Sequence, residues 1–270
     1  MINWILQKNL TKPDVLNRIK NALKGEGESY EEVEIIPFSN EIPRIENMNA
    51  FKVVYGSTTF MVNAYEDPDF REGVFYNPDT FQMANYVKQW HSLVLNHEGQ
   101  MIKFGEVSNL HSTAERKWFV RPNHDGKEFA GRVLTFQELV EWSDKICKLD
   151  LPDLNKETQI WISEPKAIEK EWRLFIVDNH IITASRYMYQ GELSISSSDI
   201  PEEMLAFTRK LVAMYKLHDV YVMDIAKVDD IFKLIECNCF NGTGFYDHNI
   251  EKVIKAVNEI IRKKYLNRKD

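Results

Sequence analysis

An α+β fold in two unequal parts is what this 270-residue sequence predicts, and two observations carry that prediction. In the first third, strand-like and helix-like segments alternate, as they do in a small α/β lobe. Further on, apolar strands follow one another in pairs joined by tight polar turns, the signature of antiparallel sheet, with amphipathic helices between the pairs. We therefore expect an N-terminal α/β lobe over 1–100 and a larger α+β domain over 101–270.

Residues 1–7 form an apolar run suited to a first strand, and Pro13 then opens a helix to about Lys24, with Gly25 at its end. The run EEVEIIPF at 31–38 predicts the next strand, and FKVVYGSTTFMVNA at 51–64 reads as two strands meeting at Gly56-Ser57. After a short extended piece at 73–76, Phe81, Tyr86, Val87 and Trp90 give helical spacing over 78–90, and 93–96 reads as a short strand. Trp118-Phe119-Val120 is a strand delivering Arg121-Pro122, and the polar loop 123–127 leads to a further apolar run, 129–134. Thr135 with Glu138 has capping-box spacing at the head of a helix to Leu149. Residues 159–162 form a strand running into Ser163-Glu164-Pro165. Residues 171–177 and 181–187 then make a hairpin around Asp178-Asn179, with Glu171 and Arg173 on one face. Helical spacing returns over 198–217 and again over 248–266, the second with an apolar face of Ile250, Val253, Ile254, Val257, Ile260 and Ile261.

A chain of this length can bury roughly three quarters of its unfolded surface. Its net charge of −7 argues against a general nucleic-acid-binding surface, which needs a basic footprint. No window approaches the run of about 20 apolar residues a membrane span requires, and the N-terminal residues lack the layout of a signal peptide. Cys147, Cys237 and Cys239 are too few for a disulfide framework or a four-cysteine zinc site, and a cytoplasmic location is the expectation. Cys237 and Cys239 read as small buried hydrophobes. His91, His97 and His111 lack metal-ligand spacing.

Chemistry concentrates in DVYVMDIAKVDDIFKLIECNCFNGTGF, residues 219–245, which reads as two strands joined by a short polar turn. Asp224 interrupts one apolar strand, while Glu236 and Asn238 interrupt the other and share a face, with Cys237 and Cys239 pointing the opposite way. Two neighbouring oxygen donors with a carboxylate on the partner strand suit a hard cation such as Mg²⁺ that also holds phosphates. Read alone, the stretch is also compatible with a strand pair that has one wet face. Parity decides between them: Asp224 joins Glu236 and Asn238 only if the connecting loop holds an odd number of residues or a bulge resets the register. Upstream, a cation at a strand end followed by a glycine-bearing loop with Lys127 can hold a polyphosphate from two sides. A surface hairpin turn is the plainer reading of that loop, as a turn is for 241–244.

Taken together, the Arg121-Pro122 strand end, the Lys127 loop, Glu164, Glu171-Trp172-Arg173, Asp224 and Glu236-Cys237-Asn238 resemble the ATP-grasp superfamily. They look most like the branch, found in bacteria and their viruses, that carries Arg where other members carry a phosphate-binding Lys. The resemblance covers residues 101–270, and 1–100 fit the small α/β domain that precedes the grasp, in which two α+β lobes grip ATP. It implies ATP and Mg²⁺ as cofactors. Arg121 and Lys127 would contact phosphates, Ser163 and Glu164 the nucleoside, and Glu171 the ribose. Asp224, Glu236 and Asn238 would carry the metal, while Arg173 and Arg186 would face the acceptor. The activity implied is carboxylate–amine ligation through an acylphosphate, with small-molecule or peptide carboxylate and amine substrates, and the 123–127 loop is a natural lid. A kinase or ATP-binding protein on the same fold is the alternative. A metal-dependent nuclease is disfavoured because Asn238 stands where such sites carry Lys.

Overall fold

The computed structural model describes residues 1–36, 39, 41–126 and 128–266. Three sheets organise it, and each arises from a different stretch of sequence.

The first is parallel, in the order β2-β1-β3, from β1 (Ile2–Gln7), β2 (Ser29–Val33) and β3 (Phe51–Tyr55). Between β1 and β2 runs α1 (Pro13–Glu26), with proline in the first turn and Gly27 in the left-handed region at its end, φ 70°. The strand read over 31–38 thus starts earlier and ends at Val33, while Pro37 and Phe38 lie outside the described residues. The second strand expected after Gly56 is instead α2 (Thr58–Glu66). Ser57 caps it by accepting a hydrogen bond from the Phe60 amide at 3.2 Å, and Phe60, Met61 and Ala64 bury its inner face. Cap and packing override the strand preference of Thr58, Thr59 and Val62. Gly56 is required there because a Cβ would lie 2.5 Å from Gln7 Cβ.

The helix expected over 78–90 is shorter, α3 (Met83–Trp90), and 93–96 contributes a single bridge, Val94 to Leu234, rather than a strand. A four-stranded antiparallel sheet follows in the order β4-β7-β5-β6, from β4 (Gln100–Lys103), β5 (Lys117–Pro122), β6 (Arg132–Thr135) and, beyond α4 (Phe136–Leu149), β7 (Gln159–Ser163). The capping box read from Thr135 and Glu138 heads α4: Thr135 accepts from the Glu138 amide and Glu138 from that of Thr135.

The third sheet, in the order β10-β9-β8-β11-β12, is antiparallel throughout. Its strands are β8 (Lys170–Val177), β9 (His180–Tyr189), β10 (Glu192–Ser196), β11 (Val220–Val228) and β12 (Ile231–Cys239). Pro201 delays the helix expected from 198, so α5 spans Glu202–Met214. The last helix, α6 (Ile250–Ile261), starts behind the Asn249 cap and packs its apolar face on α1 and the central sheet. One face of the five-stranded sheet therefore meets α6 through Phe175, Val177, Val220 and Val222. The other buries Trp172, Leu174, Met223, Ile225, Cys237 and Cys239 against α2, α3 and α5.

Candidate functional site

The β11–β12 turn has two residues, Asp229 and Asp230, both in the left-handed region that a two-residue hairpin requires. On an unbroken ladder that even loop would put Asp224 opposite Ile235 and send Glu236 and Asn238 to the other face. A bulge prevents this. Pairing runs regularly to Ile225–Leu234 and then jumps to Asp224–Glu236, so Ile235 has no opposing residue and the three oxygen-bearing side chains share one face. Leu234 is held at this point from outside the hairpin, its carbonyl accepting from the Leu95 amide at 2.8 Å.

On that face, β8 adds Arg173 directly across from Asp224. Its guanidinium makes a two-pronged bond to Asp224, Nε to Oδ1 at 2.9 Å and an Nη to Oδ2 at 2.6 Å. Arg121, at the end of β5 in the four-stranded sheet, reaches Glu236 Oε2 at 2.8 Å. Between the carboxylates, the Asn238 amide nitrogen donates to Glu236 at 3.2 Å and Asp224 at 3.4 Å. Asp224 is 1% exposed and Asn238 likewise, so an unbalanced charge here would be costly. Burial opposes the Arg173 charge, but Asp224 outweighs it and holds the guanidinium firmly protonated.

Glu171 lies two residues before Arg173, its carboxylate accepting from the Tyr187 hydroxyl at 2.6 Å. Burial raises its pKa; the Tyr187 bond opposes this, and Asp224 and Glu236 reinforce it. Tyr187 stacks on Tyr246 at 4.9 Å between centroids, and the Arg173 guanidinium lies 5.6 and 5.1 Å from the two rings. These tyrosines carried no signal in the sequence, because strand register and the loop after β12 bring them together.

Other expected site residues stand apart from this cluster. Arg186 pairs with Trp172 in the ladder, on the face opposite Arg173, and binds Asp199 and Ser194. Glu164 is exposed and bound to Arg116 at 2.7 Å. Ser163 is buried with Oγ sealed from solvent, so its side chain cannot reach a ligand in the cleft. Lys127 lies outside the described residues. The 123–126 part of the expected lid is fastened: Asn123 is fully buried and accepts from the Ala84 amide, and Asp125 accepts from the Cys239 amide at 2.7 Å. Asp125 therefore ties the phosphate-side loop to the metal-side hairpin, a link too distant in sequence to be read there.

The donor set fits magnesium with a nucleotide. Two opposed carboxylates and an amide are hard oxygen ligands too few to enclose a cation, and Mg²⁺ is commonly held by one or two carboxylates with phosphates and water completing its shell. No cluster of three His, Cys, Asp or Glu side chains suited to a metal occurs among the described residues.

A central antiparallel sheet facing a smaller one, with cations from both meeting acidic strand residues, is the ATP-grasp fold, and solved structures bear this out. D-cycloserine synthetase DcsG matches over 97% of this chain and 100% of its own, with a TM-score of 0.62 at 12% identity. A RimK domain ATP-grasp protein from Sphaerobacter thermophilus gives 0.59 at 11% identity, covering 95% of this chain and 99% of that one. D-alanine–D-alanine ligase from Bacillus anthracis complexed with ATP gives 0.58 at 12%, covering 97% and 98%. A comparison with curated protein sequences finds no match. Residues 47–257 match an ATP-grasp domain family, the third of the arginine-for-lysine clade, and the chain belongs to that family.

Proposed function

We propose that this protein is an ATP- and Mg²⁺-dependent carboxylate–amine ligase acting through an acylphosphate. The observation that carries the reading is the single polar face on which Asp224, Glu236 and Asn238 converge with an arginine bonded to each carboxylate. Phosphoryl transfer to a carboxylate asks the protein mainly for positioning and charge neutralisation, which this constellation supplies. Asp224, Glu236 and Asn238 would hold Mg²⁺, which when bound neutralises charge on the phosphates. Arg121 and Lys127 would contact phosphates, the backbone of Ser163-Glu164 the adenine, and Glu171 the ribose. Arg173, clamped between Tyr187 and Tyr246, would steady the acceptor, whereas Arg186 braces β9 against β10 through Ser194 and binds Asp199. In this reading, 1–100 is the lobe preceding the grasp and 101–270 the grasp itself.

The similar structures give independent support. D-alanine–D-alanine ligase was solved with ATP, and the ligase PsnB with Mg, ADP and a minimal precursor. The name of the first is that of an enzyme joining amino acids, and the second was also solved with a precursor peptide, so the class of chemistry is shared while substrates vary.

Two measurements test the proposal. Saturating ATP with Mg²⁺ should raise the melting temperature, since a ligand at a hundred times its Kd adds about 2.7 kcal/mol. Asp224→Asn and Glu236→Gln should abolish the rise, and an undiminished shift in both variants would remove the metal site. Sustained ADP release should then require both an acid and an amine. Turnover with an acid alone would make the protein a kinase.

A further inference from the structure

Beside Arg173 opens a cavity of about 370 Å³, walled by the loop leading into α1, the end of β3 and the loop 242–246. Its lining is electrostatically one-sided. Lys12 and Arg173 face it and no acidic residue does, although acidic residues outnumber basic ones 41 to 34 in the chain. The cations come from different layers, Arg173 from β8 and Lys12 from the start of α1. Among the described residues the Lys12 side chain has no ion pair and no hydrogen bond. Arg173 spends Nε and one Nη on Asp224, leaving its other Nη with the Gly244 carbonyl at 3.3 Å, near the limit of a hydrogen bond.

Between the cations the wall is apolar. Phe245, Val15 and the Tyr55 ring supply it, the Tyr55 hydroxyl being turned away to the Thr243 carbonyl at 2.9 Å. Gly244 adds room: a Cβ there would meet nothing within 4 Å. A cation at one end, a cation from another layer and an apolar middle define a ligand by complementarity.

We infer that this cavity binds the acceptor acid and that the acceptor is a small molecule with two anionic groups separated by an apolar body. One group lies at Arg173, next to the reacting centre, and the other at Lys12. The inference rests on the ligase reading for the word acceptor, but the binding it requires needs neither nucleotide nor turnover. A cavity of this size suits something between an amino acid and a dipeptide, and its lack of acidic residues leaves no counter-charge for an ammonium group.

Calorimetric titration of the full chain without nucleotide tests it, using succinate, glutarate, adipate and phthalate as probes, each beside its monoacid (propionate, butyrate, caproate and benzoate). At least one diacid should bind about 10-fold or more tightly than its monoacid, the gain expected from one charge-assisted hydrogen bond. Lys12→Gln should erase that preference while leaving monoacid binding unchanged. Gly244→Leu, which fills the cavity at a position with open space, should weaken diacid and monoacid together with the far-ultraviolet spectrum unaltered. The inference is overturned if no diacid binds, if diacids and monoacids bind alike, or if Lys12→Gln leaves the ratio intact. Failure of the ligase reading would show elsewhere, as a missing response to ATP and Mg²⁺ in a protein that still prefers diacids.

Discussion

Arg173 and Asp224 are each nearly enclosed, their side chains 12% and 2% exposed, so the pair cannot be judged as a surface ion pair. Taking both from water costs several kcal/mol, and the two-pronged geometry offsets that cost only while both are present. Arg173→Met should therefore destabilise the fold by about 3–5 kcal/mol, and Asp224→Asn in the same chain should restore much of the loss. Urea unfolding of the two single variants and the double variant gives the coupling directly. Additive losses would show that the pair is not a unit. Such a cost persists in natural chains when the charges serve a ligand, which is why this pair, and not the more exposed Arg186 pair, anchors the functional reading.

At the scale of elements, the bulge at Ile235 makes the site possible. Deleting Ile235 would turn the broken ladder into a regular one with Asp224 still opposite Glu236, so the thermal response to ATP and Mg²⁺ should survive. Inserting one residue between Ile235 and Glu236 would rotate Glu236 and Asn238 away and should eliminate the response, with circular dichroism verifying the fold. If the deletion loses the response as fully as the insertion, parity is not what the bulge provides. The same hairpin shows what sequence can and cannot carry. Alternation of polar and apolar residues was legible, and so was the dependence of the site on parity. The bulge was not, because it forms where Leu95 seizes the Leu234 carbonyl from more than a hundred residues away. Likewise α4 was legible through Thr135 and Glu138, whose cap is local, and Thr135→Ala should cost it about 1 kcal/mol in thermal unfolding. The stretch 58–66 misled because β-branched residues there obey a cap and a core rather than their own preference. Tyr187, Tyr246 and Asp125 escaped notice because only the folded register brings them to the site.

The whole molecule is held together at polar brackets between its sheets, and two of its histidines make that scaffold pH-sensitive. Asn241 donates to the carbonyls of Val54 and Gly73 and accepts from the Phe75 amide, fixing the end of β12 to the parallel sheet. His248 does the same between α6 and β8: its Nδ1 accepts from the Tyr246 amide at 3.0 Å, so Nε2 carries the proton donated to the Arg173 carbonyl at 3.1 Å. That arrangement needs a neutral ring. Burial pushes the His248 pKa down to about 4, and the nearby Arg173 charge helps, against the opposing bond to the Arg173 carbonyl. Burial brings His218 down to about 4 as well. With unfolded values near 6.5, the unfolded chain takes up protons between pH 6.5 and 4 that the folded chain refuses. Stability is therefore full above about pH 6.5 and falls as the pH drops toward 4, each histidine contributing up to about 3 kcal/mol at the acid end. Unfolding free energies measured across that window should decline steeply, and His248→Gln should flatten the decline. A slope unchanged by the substitution would mean that His248 titrates as it does in water and that the bracket beneath Arg173 does not depend on a neutral ring.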